Sequence, residues 1–407
     1  MVAAMAHADT PITEDAPAGH GWLTRNVLTL SGVSFLQDAA SELLYPIMPI
    51  FLTVVLGAPA AVVGLVEGVA EGAAALTKLL TGGWGDRWAR RPLIGVGYGM
   101  AAVGKVLIAL AYAWPVVLAG RVVDRLGKGI RGAPRDALLV QGIPVAARGR
   151  VFGLHRAADT AGAVVGPLIG LAGYELLNHR IRPLLWIAVV PAVLSVLLVA
   201  AVREQRRPAA PDKAVRSGRR VWAAPAGPYR RVLAVLVLFS LVNFPDALLL
   251  LRLHDIGFSV VALILAYVGY NASYALLSYP AGLLADRWPK HRVYALGLAC
   301  FTVAYLGLGL VRSGPWAFVI LIVYGGFAAC TDGVGKAWVS SLVPDARQSG
   351  AQGLFQGLTG GAILVAGIWA GLAWGSAGVV PLLISGAVGA VLTVVLASGR
   401  LTLTPRP

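Results

Sequence analysis

The stretch GGWGDRWARR at residues 82–91 recurs as GLLADRWPKHR at residues 282–292. Four residues of the first copy have identical counterparts 200 positions later: Gly82 and Gly282, Asp86 and Asp286, Arg87 and Arg287, and Trp88 and Trp288. The same offset carries Pro144 onto Pro344 and Gly153 onto Gly353. Matches that keep one register over so long a distance indicate two repeated halves.

The rest of the chain is strongly apolar. Hydrophobic residues make up 57% of the 407 residues and charged residues only 13%, whereas soluble domains are about 25% charged. Continuous apolar runs of about 20 residues, each long enough to cross a bilayer as a helix, recur along the chain. Because these runs do not alternate, they are unlike the strands of a membrane barrel. The predicted spans are 27–55, 60–81, 93–113, 115–139, 150–172, 183–202, 232–251, 259–281, 293–311, 315–341, 350–373 and 378–398.

The sequence therefore predicts an all-α membrane protein with twelve transmembrane helices. A long polar segment rich in Pro, Arg and Ala follows the sixth helix and separates two six-helix bundles. With the 200-residue repeat, this division predicts bundles related by a pseudo-two-fold axis along the membrane normal. The predicted domains are a cytoplasmic tail 1–26, a bundle 27–202, a cytoplasmic linker 203–231, a bundle 232–398 and a cytoplasmic tail 399–407.

The basic residues are not spread evenly over the connections between these helices. The net charge is +15, and the arginines and lysines cluster in alternate connections, around residues 87–91, 131–150, 203–231 and 287–292. Three of the intervening connections, around residues 57–60, 113–115 and 374–378, carry none. This pattern places the basic connections in the cytoplasm. It predicts a multi-pass protein of the inner (plasma) membrane with both termini cytoplasmic, and it argues against a nucleic-acid partner, which needs one basic surface patch.

The repeated motif resembles the signature between helices 2 and 3 of the major facilitator superfamily, which has a glycine, an Asp-Arg pair and two further basic residues. In that family the Asp and Arg hold the outward-facing state closed on the cytoplasmic side. The resemblance implies a cytoplasmic gate formed by Gly82, Asp86, Arg87, Arg91, Gly282, Asp286 and Arg287. Both copies depart from the signature at a usual glycine, which is Ala89 in the first and Pro289 in the second.

A second motif lies in the predicted helix over 150–172. Gly153, Gly162, Gly166, Pro167 and Gly170 keep the spacing of the antiporter motif of the same family. In the family this motif marks exporters that exchange their substrate for protons. The alternative interpretation is general close packing of small residues between membrane helices.

Ionisable residues within the predicted membrane helices are candidates for the transport pathway, because charge at membrane depth is unfavourable unless it is paired or hydrated. Asp38 and Glu42 lie four residues apart on one helix face, an arrangement suited to proton carriage or cation binding. The predicted proton-coupling or substrate residues are Asp38, Glu42, Arg121, Asp124, His155, Arg156 and Asp159. Whether Arg121 or Arg125 corresponds to the arginine that the family has in helix 4 stays open.

The sequence contains no ATP-binding loop, no Cys or His cluster at metal-ligand spacing and no catalytic triad in context. We therefore predict no enzyme activity and no cofactor, and a metal site stays unknown. The prediction is a proton-coupled antiporter that functions as a monomer in the lipid bilayer and exports a small molecule or cation by alternating access. The alternatives are uptake of an anionic metabolite, either proton-coupled or facilitated, and a transporter-like sensor or membrane enzyme.

Overall fold

A computed structural model describes residues 21–399 except residues 46, 49–50, 205–226 and 375–377. The first 20 residues of the predicted N-terminal tail, most of the predicted linker and residues 400–407 lie outside the described residues. Within the described part, the chain is almost entirely helical and contains no strand. The all-α prediction is therefore confirmed.

The helices that cross the membrane are numbered here in chain order. They are α1 (Arg25–Leu44), α2 (Ala60–Thr81), α3 (Arg90–Ala109), α4 (Trp114–Leu139), α5 (Arg148–Leu176), α6 (Ile181–Val199), α7 (Pro228–Ser240 and Asp246–Asp255), α8 (Val260–Arg287), α9 (Lys290–Leu310), α10 (Gly314–Ser341), α11 (Gln348–Leu372) and α12 (Val379–Ala397). Short helical turns occupy Phe51–Val55, Trp84–Arg87, Val145–Ala147 and Asp345–Arg347.

Length and apolar composition by themselves qualify six segments of the described chain as membrane spans. They are α3, α6, α9, α10, α11 together with the turn before it, and α12. Several of the remaining helices carry charged residues within the span, among them α1, α2, α4 and α5. These charged helices belong mainly to the N-terminal half.

Two predicted spans are wrong in detail. The prediction joined residues 27–55 into one helix, but α1 ends at Leu44 and a separate π-helical turn covers Phe51–Val55. Tyr45, the C-cap of α1, still has right-handed helical dihedral angles, so the position of Pro46 does not by itself explain this end of the helix. The span 232–251 was predicted as continuous, but α7 is interrupted between Ser240 and Asp246, where Pro245 cannot donate a backbone hydrogen bond.

Corresponding helices of the two halves make corresponding contacts. In the N-terminal half α4 packs on α2 and α3, and α3 also packs on α6; in the C-terminal half α10 packs on α8 and α9, and α9 also packs on α12. The halves meet where α5 packs against α8 and α10, and where α11 packs against α2 and α4. The space between the two halves is therefore bordered by helices from both repeats.

Candidate functional site

The two halves contact one another at the end of the bundle where the repeated motifs lie. This end, called the basic end below, is where α2 meets α3, α4 meets α5, α8 meets α9 and α10 meets α11. Asp86, just before α3, accepts hydrogen bonds from the backbone N–H groups of Ser349 at 2.9 Å and Gly350 at 2.6 Å. Backbone N–H groups in the first turn of a helix have no partner within the helix, and the helix dipole there also favours a negative charge.

The second copy of the motif makes the matching contact in the other direction. Asp286, at the end of α8, accepts from the backbone N–H groups of Gly149 at 2.7 Å and Arg150 at 3.0 Å. It also accepts from the Arg150 side chain at 2.8 Å. Positions 149 and 150 precede positions 349 and 350 by the same 200 residues that separate Asp86 from Asp286. We call these two reciprocal contacts the Asp locks.

Glycines allow the helices to approach closely beside both locks. A Cβ atom at Gly82 would overlap the backbone of Gly353, and a Cβ atom at Gly282 would overlap the backbone of Gly149 and Gly153. Any larger residue at these positions would push the halves apart at the basic end. The close approach and the Asp locks therefore depend on one another.

A cavity of about 310 Å³ lies between the two halves. Its charged lining consists of three acids, Asp38, Asp159 and Asp332, and six bases, Lys78, Lys128, Arg131, Arg135, Arg156 and Lys336. The lining is therefore basic, and most of its charge comes from the N-terminal half. The C-terminal half contributes mainly aromatic and small polar residues.

Two ion-pair clusters join the halves next to this cavity. In the first, Arg156 on α5 pairs with Asp159 at 2.7 Å and approaches Asp332 on α10 to 4.0 Å. Tyr274 on α8 donates a hydrogen bond to Asp332 at 2.5 Å, and Ser34 on α1 donates one to Asp159. Arg156 is thus shared between an acid of its own half and an acid of the other.

The second cluster centres on Asp136 of α4, whose side chain is fully buried. Lys336 of α10 reaches it at 2.8 Å and the neighbouring Arg135 at 3.0 Å. Gln356 of α11 donates a further hydrogen bond at 2.9 Å. A buried carboxylate of the N-terminal half is therefore neutralised partly by a lysine of the C-terminal half.

Comparison with known proteins identifies the family. The family model described as "Major Facilitator Superfamily" matches residues 30–253 and 232–407. The chain belongs to the Major Facilitator Superfamily. It is therefore a multi-pass membrane transporter and not an enzyme.

An uncharacterised transporter of the same superfamily from Methanocaldococcus jannaschii is 31% identical over 361 residues, covering 86% of this chain and 89% of the relative. Among solved structures, the human organic anion transporter MFSD10 has a TM-score of 0.78 at 19% identity, covering 91% of this chain and 99% of that protein. The transporter FucP in its outward conformation has a TM-score of 0.75 at 15% identity, covering 95% and 100%. At these identities the two solved structures show the fold alone. Their twelve-helix architecture of two repeated bundles is the fold of this facilitator.

The predicted pathway residues of this facilitator separate into two groups. Asp38, Arg156 and Asp159 line the cavity, whereas Arg121 and Asp124 do not. Arg121 pairs with Glu67 of α2 at 2.6 Å and Asp124 with Lys105 of α3 at 3.4 Å, both within the N-terminal half. Their role in transport remains a prediction.

Two further predicted residues lie close to the boundary between the halves. Glu42 accepts a hydrogen bond at 3.4 Å from Tyr267 in the part of α8 distant from the basic end. His155 is 1% exposed, and neither of its ring nitrogens has a hydrogen-bond partner among the described residues. Neither residue lines the cavity.

The predicted gate arginines are not the ones that bridge the halves. Arg87 and Arg287 are exposed, and Arg91 bonds within its own half to the carbonyl of Ala200. Arg90 is the buried member of the first motif, and one of its donors reaches the carbonyl of Asp345 in the other half at 3.1 Å. The sequence alone could not separate Arg90 from Arg91, because they are adjacent and chemically identical.

The glycines of the α5 motif face two neighbours. Gly162 and Gly166 lie against the backbone of α1 around Phe35 and Ala39, Gly170 lies against Leu43, and Gly153 lies against α8. Pro167 is inside α5. The motif thus brings α5 close both to the helix that carries Asp38 and to the opposite half.

Proposed function

We propose that this facilitator is a proton-coupled secondary transporter that works by alternating access. The observation that carries the proposal is a charged cavity between two halves that are joined at the basic end. From the positive-inside pattern we infer that the protein lies in the inner membrane, with the basic end and both termini in the cytoplasm. The described state is then closed to the cytoplasm.

The contacts between the halves support alternating access. Both Asp locks lie at the basic end. A second contact between the halves, from Tyr267 to Glu42, lies far from the basic end. Tyr267 is 20 residues from Arg287 along α8, which is about 30 Å of helix. Opening the basic end requires that the locks and the Asp136–Lys336 pair break together. The two halves can then rotate as rigid bundles about the cavity.

Asp38 is the residue that we propose carries the proton. It lines the cavity, and among the described residues no basic group lies within 4.0 Å of its carboxylate. The neighbouring Asp159, by contrast, is paired with Arg156. An ionisable group that lies at membrane depth without a fixed partner is suited to gain and lose a proton during the transport cycle.

The direction of transport has two candidates. The first is antiport, in which a small molecule or cation leaves in exchange for protons; the glycine-proline motif of α5 and its close packing on α1 support it. The second is proton-coupled uptake of an anionic solute. The excess of basic over acidic residues in the cavity lining favours this second candidate, and it disfavours a cation as the cargo.

The test is proton movement in sealed liposomes that contain the purified protein and a lumenal pH dye. Phenylacetate, benzylammonium and divalent cations are added in turn under an imposed pH gradient. We expect solute-dependent proton flux in the wild type and its loss in Asp38→Asn, while Glu175→Gln, a change at an exposed acid of α5, retains it. Solute binding without any gradient-dependent flux would instead indicate the sensor or enzyme alternative.

A further inference from the structure

Two lysines in the cavity differ from its other bases. Lys78 on α2 and Lys128 on α4 line the cavity, and within the described chain neither ammonium group has a carboxylate within 4.0 Å. Arg135, Arg156 and Lys336 are paired with acids. Arg131 has no acid partner among the described residues either, but its guanidinium donates to a backbone carbonyl and lies over an aromatic ring. Lys78 and Lys128 are therefore the lining bases whose charged groups are free to bind a ligand directly.

The charges around these two lysines favour an anionic partner. Lys78 is acted on by the charges of Lys128 and Lys336 as well as by Glu71. Glu71 is itself engaged at 3.0 Å with Arg125. Two ammonium groups that face one cavity repel each other, and this repulsion is stronger beside a bilayer interior than in water. A bound anion between them would remove the repulsion and supply the missing partner.

The acids of α1 offset this charge from a distance. Asp38 and Glu42 both act electrostatically on Lys128, but each lies beyond ion-pair distance. The lysines therefore remain free to form direct hydrogen bonds with a ligand. The state of Asp38 modulates how strongly they attract it.

The opposite wall of the cavity has a different chemistry. Phe239, Tyr294, Phe327 and Phe355 line it from four helices of the C-terminal half. Phe239 packs edge-on against Tyr294 and Phe327, so these rings form one surface. Asn243, at the break in α7, also lines the cavity, and its side-chain oxygen is buried without a hydrogen-bond partner among the described residues. One side of the cavity is cationic and the other is aromatic.

We propose that the cavity binds a small organic anion. Its anionic group lies between Lys78 and Lys128, and its apolar body packs against Phe239, Tyr294 and Phe327. The volume of about 310 Å³ is at the lower end for ligand pockets, which favours a ligand of metabolite size. The inference deepens the proposed transport function and rests on it, but it holds for export and for uptake alike.

The test is isothermal titration calorimetry on the purified full-length protein in detergent. Three probes share one apolar body and differ in charge: phenylacetate, phenylacetamide and phenethylammonium. Phenyl phosphate and benzenesulfonate then distinguish a carboxylate site from a phosphate or sulfonate site. We expect an anion of this set to bind and the neutral and cationic probes to bind at least tenfold more weakly. Hydrogen bonds to charged groups are strong enough for this preference.

Four variants locate the site. Lys78→Gln and Lys128→Gln each lower the affinity for the anion roughly tenfold or more, while Lys78→Arg and Lys128→Arg retain most of it. Arg180→Gln removes one positive charge from the exposed surface of the same half and leaves binding unchanged. Retained binding in the arginine variants shows that loss in the glutamine variants is not a folding defect.

Two results would overturn the anion site. One is that no anion of the set binds at millimolar concentration; the other is that binding is the same in both glutamine variants as in the wild type. Neither of these binding results depends on transport, so failure of the anion site can be distinguished from failure of the proposed function. Anion binding without proton flux would remove the proposed function but keep the site. Proton-coupled flux of a neutral or cationic solute, without anion binding, would remove the site but keep the function.

Discussion

The Asp locks predict a measurable change in the balance between closed and open states. Asp86 accepts two backbone N–H groups at the start of α11, and hydrogen bonds to a charged group contribute about 1.5–3 kcal/mol each. Asp86→Asn keeps one acceptor oxygen, presents an NH₂ group to the other donor, and loses the attraction to the helix dipole, which adds about 0.3–1 kcal/mol. The closed state should lose about 2–4 kcal/mol. The ratio of open to closed molecules at the basic end then rises roughly 30-fold to several hundred-fold.

The assay is the distance between two nitroxide labels across the basic end. Ala89→Cys and Ala346→Cys place the labels at exposed positions, one in each half. The native Cys300 and Cys330 are first replaced by alanine. Pulsed electron resonance should then show a longer-distance population that grows in the Asp86→Asn variant relative to the wild type.

The repeat supplies both a stronger perturbation and a control. Asp286→Asn weakens the matching lock, so the Asp86→Asn/Asp286→Asn variant should shift the distances further than either change alone. Arg180→Gln alters an exposed arginine between α5 and α6, away from the basic end, and should leave the distances unchanged. Unchanged distances in the double variant would refute the role of the locks in holding the basic end closed.

Three further changes test other contacts. Gly153→Val should favour the open basic end, because a side chain there meets the backbone of α8; the same labels report it. Asp136→Asn leaves Lys336 without its buried partner, a change that costs about 3–5 kcal/mol in other proteins, and should lower the Tm in detergent, with partial recovery in Asp136→Asn/Lys336→Met. Asp38→Asn should strengthen phenylacetate binding in calorimetry, because it removes a negative charge that acts on Lys128. No ion pair within 4.0 Å joins them, so this gain stays below about 4 kcal/mol at an effective dielectric of 20.

Most of the fold could be predicted from the sequence, because the bilayer permits few alternatives. A helix that crosses hydrocarbon must be long, apolar and internally hydrogen-bonded, so hydropathy locates it. The 200-residue recurrence of Asp86 as Asp286 then revealed the two halves. The break in α7 was missed at Pro245, and the end of α1 at Leu44 was missed within a continuous apolar run. In both places the prediction followed hydropathy alone, which does not register a local interruption of the helix.

The partners of the locks could not be predicted, for a physical reason. Asp86 and Asp286 bind backbone N–H groups, which every residue except proline supplies. Serine and glycine therefore serve at 349 and 350, and glycine and arginine at 149 and 150, without a shared pattern. The ion pairs across the halves were also hidden, because a spacing along one helix gives no information about a lysine 200 residues away. The sequence therefore could not identify Lys336 as the partner of Asp136.

The two halves share a scaffold but contribute different chemistry to the cavity, and this difference bears on the direction of transport. Asp38 and Lys128 act on each other across the cavity, so a proton on Asp38 removes a charge that competes with an anionic ligand. By reciprocity, a bound anion must strengthen proton binding at Asp38 to the same extent. A proton and an anion that bind together also travel together, which is uptake down the proton gradient. Exchange requires the opposite sign, with each ligand weakening the other. Calorimetry with phenylacetate at two pH values therefore separates the two candidates. Tighter binding at the lower pH supports uptake, provided that this pH dependence disappears in Asp38→Asn. Weaker binding at the lower pH supports antiport.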